Sequence, residues 1–166
     1  MSDKNKRLRK LLAIRNLDSD VPIIIDSQMD ERKESSLFKA HRTIMSEYNI
    51  ISNYTKPRGI TILLKKRTGI TLGNVDASDE NIIILSILTA SNETIDIATI
   101  HGPSDKDDPA FFERVSDKLD NREYQHKIII GDWNDFPMFL RPQGFNERFC
   151  PCNSPRIRGQ FLFLSK

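Results

Sequence analysis

The chain is poor in the residues that build disulfide scaffolds and metal-binding modules. It has two cysteines in 166 residues, and both lie in the short segment CPC, as Cys150 and Cys152. Two thiols one residue apart are poorly placed for a disulfide and supply at most half of a metal site. A disulfide framework is therefore excluded, and a metal role for these cysteines is the weaker interpretation.

Long apolar runs are also missing. The longest dense stretch, Ile82 to Leu88, is interrupted by Ser86, whereas a membrane-spanning helix needs roughly 20 apolar residues. The basic N-terminus, MSDKNKRLRK, is not followed by the apolar segment of a signal peptide. These absences predict an intracellular protein without a membrane partner. The nucleus is the alternative location if the basic start acts as an import signal.

Charge is nearly balanced overall but unevenly distributed. The chain has 25 basic and 23 acidic residues, which gives a net charge of +2. The basic residues cluster in KNKRLRK (4 to 10), KPR (56 to 58), KKR (65 to 67) and the C-terminal tail. Such clusters either follow a phosphate backbone or form an ordinary solvated surface. Charge alone leaves both interpretations open.

The order of apolar and polar segments predicts an α/β fold. The chain is long enough to close a single hydrophobic core, so we expect one domain. Apolar spacing predicts a helix over 4–17 and another that begins near Pro109, after a capping Asp108. Residues 34 to 47 are compatible with a helix or with irregular structure. Runs rich in isoleucine and threonine predict strands at 21–26, 49–52, 59–66, 81–90, 93–100 and 127–130. From residue 136 onward no clear period is visible.

Three of these predicted strands end in polar residues that suit phosphate chemistry. The strand VPIIID ends at Asp26, TIDIATI is followed by His101, and KIII is followed by GDWND, which contains Asp132 and Asn134. Functional side chains collect at strand ends, and carboxylates are ligands that Mg²⁺ prefers. Asp132 could accept a proton from an attacking water, and Asn134 could donate to a phosphoryl oxygen. Taken singly, each is more simply interpreted as a turn, helix-cap or loop residue than as a site residue.

An ordered set of segments resembles a known superfamily. The segments IIIDSQM, RGITILLKK, IDIATIHGPSD, DPAFFERV and IIIGDWND resemble the endonuclease/exonuclease/phosphatase superfamily, most closely the endonuclease domain of non-LTR (LINE-type) retrotransposons. The resemblance covers roughly residues 7 to 136. It implies a partial two-sheet α/β sandwich of the DNase I-like type over residues 1–136, followed by a divergent or irregular tail over 137–166.

The resemblance also implies roles for individual residues. Asp26 lies where the family has its metal-binding acid, usually Glu, and His101 lies where the family usually has a Tyr that contacts the scissile phosphate. Asp132 matches the Asp that handles the nucleophilic water, and Asn134 matches the Asn that holds the phosphate. The implied cofactor is Mg²⁺, with Mn²⁺ as an alternative, and the implied partner is DNA bound by a monomer. The predicted nucleic-acid-binding residues are Lys56, Arg58, Lys65, Lys66 and Arg67.

Two family features are not recognisable in the chain. These are an N-terminal strand that carries an Asn and a C-terminal Asp-His pair, so we expect a domain truncated at both ends. Whether the chain is an enzyme is therefore left open. Three hypotheses follow: a DNA-nicking endonuclease of retrotransposon origin, a catalytically impaired fragment with at most weak nucleic-acid binding, or a phosphatase that acts on other phosphate esters.

Overall fold

The isoleucine-rich segments form two β-sheets, each in its own unit. A computed structural model describes residues 3–54, 59–103, 109–120, 126–132, 145–148 and 160–165. The chain divides into a first unit, Met1–Gly69, and a second unit, Ile70–Lys166. The predicted α/β class with two sheets is confirmed.

The first unit has a three-stranded antiparallel sheet in the order β1-β3-β2. Its apolar cluster includes Leu37, Met45, Tyr48 and Leu63, which joins helices to one face of the sheet. The elements of this unit are α1 (Asp3–Asn16), β1 (Ile23–Ile25), α2 (Glu31–Ala40), α3 (Arg42–Met45), β2 (Tyr48–Ser52) and β3 (Ile60–Lys65).

The start of α2 is defined by a side-chain cap. Asp30 has an extended backbone, and its Oδ1 accepts a hydrogen bond of 2.7 Å from the backbone N–H of Lys33. Such a cap satisfies one of the four free N–H groups at a helix start. Glu31 and Glu34 in the first turn favour the same position, because negative charge is stabilised at a helix N-terminus. The segment between β1 and α2 is therefore short and fixed at both ends.

The second unit has a six-stranded sheet in the order β4-β5-β6-β7-β9-β8. Among its described strands, only β6 and β7 pair in parallel, and α4 makes the crossover that a parallel pair requires. The elements of this unit are β4 (Thr71–Asp76), β5 (Ile82–Leu88), β6 (Thr94–His101), α4 (Pro109–Asp120), β7 (His126–Asp132), β8 (Phe145–Arg148) and β9 (Gln160–Ser165).

One face of this sheet is covered by α4. Phe111 and Val115 of the helix belong to one buried cluster with Ala98, Ile100 and Ile129 of the strands. Because successive side chains of a strand point to opposite faces, the residues that alternate with these lie on the other face. That other face carries the residues that end β6 and β7.

Most predicted elements are confirmed, and three strands were missed. The helix predicted over 4–17 and the six predicted strands lie within two residues of the predicted bounds. The ambiguous stretch 34–47 forms the end of α2 and all of α3. The missed strands are β4, β8 and β9. β8 and β9 fall in the predicted tail, 137–166, and join the sheet of the second unit. The position at which the family resemblance ends stays a prediction. The predicted helix cap, Asp108, lies outside the described residues.

The helices were also compared with the length of a membrane span. In the part of the chain that the structure describes, no helix is both long and apolar enough to cross a membrane.

Candidate functional site

Two of the predicted site residues lie side by side at the ends of β6 and β7. His101 and Asp132 are Cα partners in the parallel register, and both point away from the face that α4 covers. Neighbouring strands are about 4.8 Å apart, so the imidazole and the carboxylate start from adjacent positions on one face. The two strand ends are therefore neighbours within the second unit, and the catalytic roles of His101 and Asp132 stay predictions.

The backbone around this pair is held by hydrogen bonds between strand ends. The N–H of Gly102 donates to the carbonyl oxygen of Asp132 at 2.6 Å, and the N–H of His101 donates to the carbonyl oxygen of Asn81 at 2.8 Å. The ladder thus continues to the last residue of both strands. His101 is only 5% exposed, and Asp132 is half-buried. A fixed backbone and partial burial restrict both side chains to few orientations.

Gly131 allows the two strands to approach. A Cβ at this position would overlap the carbonyl oxygen of Ile100 and would lie 3.1 Å from the carbonyl carbon and the Cβ of Ile100. Real Cβ atoms do not approach backbone so closely, so β6 and β7 could not keep this spacing with any other residue. Gly131, which follows the predicted strand 127–130, is part of β7 and allows the close spacing of β6 and β7 beside His101 and Asp132.

Asp26 lies in the first unit, directly after β1. Its backbone has φ 55°, in the left-handed region that Asp and Asn tolerate better than most residues. The next residue, Ser27, donates its N–H to the carbonyl oxygen of Gly59 at 3.0 Å, which continues the pairing of β1 with β3. The side chain of Asp26 is exposed. An exposed carboxylate on an anchored backbone can bind a cation or a water molecule.

The segment after Asp26 is fixed by a lysine of α2. Gln28 also has a positive φ, of 50°, and its carbonyl oxygen accepts a hydrogen bond of 2.6 Å from Lys33 Nζ. Two left-handed residues that are not glycine within three positions cost about 1–2 kcal/mol each. The surrounding hydrogen bonds must offset that cost, so this strand end has a preset conformation.

Tyr54 follows β2 at the same end of the sheet, and the sequence did not single it out. Its hydroxyl donates to Oε2 of Glu34 at 2.6 Å, and its backbone has φ 48°. Burial, and secondly the Glu34 carboxylate, raise the pKa of Tyr54 to about 12. The sequence signal that could have pointed to Tyr54 is the segment SNY, in which an aromatic residue stands two positions after the last residue of the predicted strand NIIS.

The predicted nucleic-acid-binding residues fall into two groups. Lys56 and Arg58 lie outside the described residues, as does Asn134. Lys65 ends β3, and Lys66 and Arg67 follow it, which places them at the end of β3 opposite to Gly59 and Asp26. Lys66 and Arg67 are exposed.

Lys65 already has an acidic neighbour. Its Nζ lies 2.6 Å from Oδ1 of Asp18, and this contact lowers the pKa of Asp18 and raises the pKa of Lys65. An exposed ion pair of this kind contributes little to stability. It does reduce the positive charge that Lys65 can offer to a phosphate.

A divalent metal is implied by the family resemblance, and the donor chemistry of two residues fits it. No cluster of three or more His, Cys, Asp or Glu side chains suited to a metal ion occurs in the described part of the chain. Mg²⁺ often uses one or two carboxylates and completes its shell with waters and substrate phosphate. In the first unit, Asp26, exposed after β1, is such a carboxylate; in the second unit, taken by itself, Asp132, half-buried at the end of β7, is another.

The fold defines the class to which the structure belongs. It is an α/β fold with two sheets of the endonuclease/exonuclease/phosphatase, or DNase I-like, type. The predicted fold type is thereby confirmed. No protein-family profile matches the chain, and no curated protein sequence is similar to it.

Particular solved structures share this fold. Humanized D. rerio TDP2 has a TM-score of 0.70 and 16% identity, with 99% of this chain and 77% of TDP2 covered. An endonuclease/exonuclease/phosphatase family protein from Bacteroides thetaiotaomicron has a TM-score of 0.63 and 9% identity, with 95% and 73% covered. ANGEL2, a 2′,3′-cyclic phosphatase, has a TM-score of 0.51 and 17% identity, with 78% and 44% covered. The finer resemblance to retrotransposon endonucleases stays a prediction.

Proposed function

We propose that the chain hydrolyses phosphoester bonds with the help of a divalent metal, and that its substrate is DNA. The observation that carries the proposal is the pairing of His101 with Asp132 at the ends of two adjacent parallel strands. The strands belong to a fold that ANGEL2, a 2′,3′-cyclic phosphatase, shares. The placement supports phosphate chemistry, because a base and a hydrogen-bond donor side by side suit attack of water on phosphorus.

The roles of the residues follow from their side chains. The Asp132 carboxylate accepts a proton from the attacking water, and the His101 imidazole contacts a phosphoryl oxygen of the scissile group. Asp26, with its exposed carboxylate, would hold the metal. When bound, Mg²⁺ would supply positive charge that stabilises the charge on phosphorus and on the leaving oxygen. Asn134 keeps its predicted role in holding the phosphate.

DNA is favoured as the substrate by two lines of support. D. rerio TDP2, which has the same fold, has been solved in complex with a single-strand DNA product. The resemblance to retrotransposon endonucleases independently implies DNA, with nicking of one strand as the reaction. The exposed cations Lys66 and Arg67 are compatible with a polyanionic substrate.

A second candidate is hydrolysis of another phosphate ester. ANGEL2 shares the fold over 78% of this chain and has been solved with adenosine-2′,3′-vanadate. The same pair of side chains, His101 and Asp132, could serve a small cyclic phosphate. This candidate predicts turnover of a 2′,3′-cyclic nucleotide without cleavage of DNA.

The proposal is tested by cleavage of supercoiled plasmid and of a labelled single-stranded oligonucleotide, with Mg²⁺, Mn²⁺ or EDTA. We expect metal-dependent cleavage that falls about 100-fold or more in Asp132→Asn, since a charge essential to the transition state is removed at constant size. The matched control is Asp117→Asn, which makes the same change at an exposed position of α4. We expect this control to cleave at the wild-type rate.

Three results would contradict the proposal. Cleavage by Asp132→Asn at the wild-type rate would exclude Asp132 from the chemistry. Cleavage unaffected by EDTA would exclude the metal. If the folded protein cleaves neither DNA substrate and does not hydrolyse a 2′,3′-cyclic nucleotide, the hypothesis of a catalytically impaired fragment is favoured.

A further inference from the structure

Tyr54 and Asp26 lie on the two sides of β3 at one end of the first sheet. Ile25 pairs with Ile60, and the Oδ1 of Asn53 accepts a hydrogen bond of 2.9 Å from the N–H of Ile60. Asp26 and Tyr54 therefore both lie where their strands reach the start of β3, and Ser27, the residue after Asp26, still donates its N–H to the carbonyl oxygen of Gly59. Two inter-strand spacings separate β1 from β2, which puts the two backbones about 10 Å apart.

The ring of Tyr54 is held in position but not covered. The hydrogen bond to Glu34 at 2.6 Å anchors its hydroxyl, and the left-handed backbone restricts its direction. The residue remains 36% exposed. An aromatic ring fixed at its far end loses little conformational entropy when a second flat group packs on it.

Tyr54 has an acidic neighbour, Glu34, at its hydroxyl. Its pKa is raised to about 12 by burial and by the neighbouring Glu34 carboxylate. The phenol is therefore neutral at any working pH, so its ring presents an uncharged face. The hydroxyl is occupied as a donor to Glu34, so a ligand would contact the part of the residue, 36%, that is exposed.

We propose that the Tyr54 ring is a stacking platform for a nucleobase of single-stranded DNA, whose phosphate backbone passes the strand end at Asp26. This inference rests on the proposed function and names how that substrate is held. Base stacking on an aromatic side chain needs a base that is free of its own stack, which selects a single strand over a duplex. The separation of about 10 Å is short enough for one oligonucleotide to contact both positions.

The stacking role predicts a loss of affinity that depends on the base. The experiment measures the dissociation constants of a fluorescent oligothymidylate and of an abasic oligonucleotide of equal length and charge, by anisotropy at fixed salt in EDTA. In Tyr54→Ala, binding of oligothymidylate should weaken roughly tenfold or more, since stacking is worth about 1–3 kcal/mol per base. Binding of the abasic strand should change less than about twofold, because its phosphate contacts are the same.

Two further variants test whether the effect comes from the ring of Tyr54, from its hydrogen bond to Glu34, or from the loss of any exposed aromatic side chain. Tyr54→Phe keeps the π-face and loses the hydrogen bond to Glu34, so it should retain most of the preference for oligothymidylate. Phe38→Ala removes an aromatic residue of similar exposure, 39%, from α2, and should leave both dissociation constants unchanged. Circular dichroism and thermal unfolding confirm that each variant is folded.

Several outcomes would overturn the inference. An equal loss for both strands in Tyr54→Ala, or a loss in Tyr54→Phe as large as in Tyr54→Ala, would show that the residue acts only on the structure. Cleavage of DNA by the wild type with no base-dependent effect of Tyr54→Ala would reject the stacking role and leave the proposed function standing. If the wild type neither binds nor cleaves DNA, both proposals fail.

Discussion

At Gly131 the chain has no room for a side chain, because a Cβ would overlap the carbonyl oxygen of Ile100. Gly131→Ala must push β7 away from β6 or tilt it. We expect a loss of about 2 kcal/mol in the free energy of unfolding, typical of overpacking against rigid neighbours. Because the displacement falls next to Asp132, any hydrolytic activity should be lost as well. Denaturant unfolding and the cleavage assay measure the two effects.

Gly73 offers the matched control in the same sheet. A Cβ there would lie 3.2 Å from the carbonyl oxygen of Ser86, a contact that a small shift relieves. Gly73→Ala should therefore cost less than about 1 kcal/mol and leave the activity unchanged. Equal effects of the two substitutions would show that spacing between β6 and β7 is not special.

At the scale of elements, two carboxylates tie α4 to the end of β4 and the loop that follows it. Oδ1 of Asp76 accepts hydrogen bonds from the Ser78 hydroxyl at 2.6 Å and the Ser78 N–H at 3.1 Å, and Oδ2 lies 3.0 Å from Lys118 Nζ. A second pair, Arg114 with Asp79 at 3.6 Å, joins the same helix and loop. The Ser78 hydroxyl, and then Lys118, lower the pKa of Asp76 to about 2.

This lowered pKa makes the stability of the second unit depend on pH. The folded pKa of about 2 lies below the ordinary value of 3.8, so the contribution of Asp76 is fully present above about pH 4. It is lost as the pH falls from about 4 to about 2. After allowance for solvent screening at a partly exposed site, we expect Asp76→Asn to cost about 1 kcal/mol at neutral pH.

The measurement is chemical denaturation of Asp76→Asn and of the wild type across this pH range. The difference between them should shrink towards pH 2, because the wild-type carboxyl is then protonated. Asp117→Asn, on the exposed side of α4, should show no such pH-dependent difference. A constant gap between Asp76→Asn and the wild type at every pH would rule out the charge as the cause.

At the scale of the whole molecule, the net charge of +2 is small, so the proposed binding of DNA would depend on local basic clusters. Lys66 and Arg67 follow the end of β3 that lies about 16 Å along the strand from its end near Asp26. We expect Lys66→Ala and Arg67→Ala each to reduce the slope of log affinity against log salt by about 0.9 if each contacts one phosphate. The measurement is a salt series of oligonucleotide binding.

The control for this series is Lys39→Ala, which removes the same charge from an exposed position in α2. It should leave the slope unchanged. An equal change in all three variants would show that binding follows the net charge rather than the cluster at residues 65 to 67. Asp18→Asn should instead steepen the slope, because it releases Lys65 from its ion pair.

The strands that could be predicted are those whose sequence is strongly β-forming. Three strands are rich in β-branched residues and are largely buried, and both properties favour a strand: Ile60–Lys65, Ile82–Leu88 and Thr94–His101. The strand Thr71–Asp76 was missed, because its Gly and Asn have low β-propensity and it lies at the sheet edge beside an irregular register. Its structure is imposed by pairing with a stronger neighbour.

The sequence by itself determined which residue types end the strands: Asp26, His101 and Asp132 each follow an apolar run, and that pattern is local. Only the tertiary structure decided that His101 and Asp132 share one face, because the parallel register of β6 and β7 joins residues that are distant along the chain. The same holds for Tyr54, whose hydroxyl binds a glutamate twenty residues earlier. Apolar periodicity is a property of neighbours in sequence, whereas these contacts depend on pairing between segments that no local pattern records.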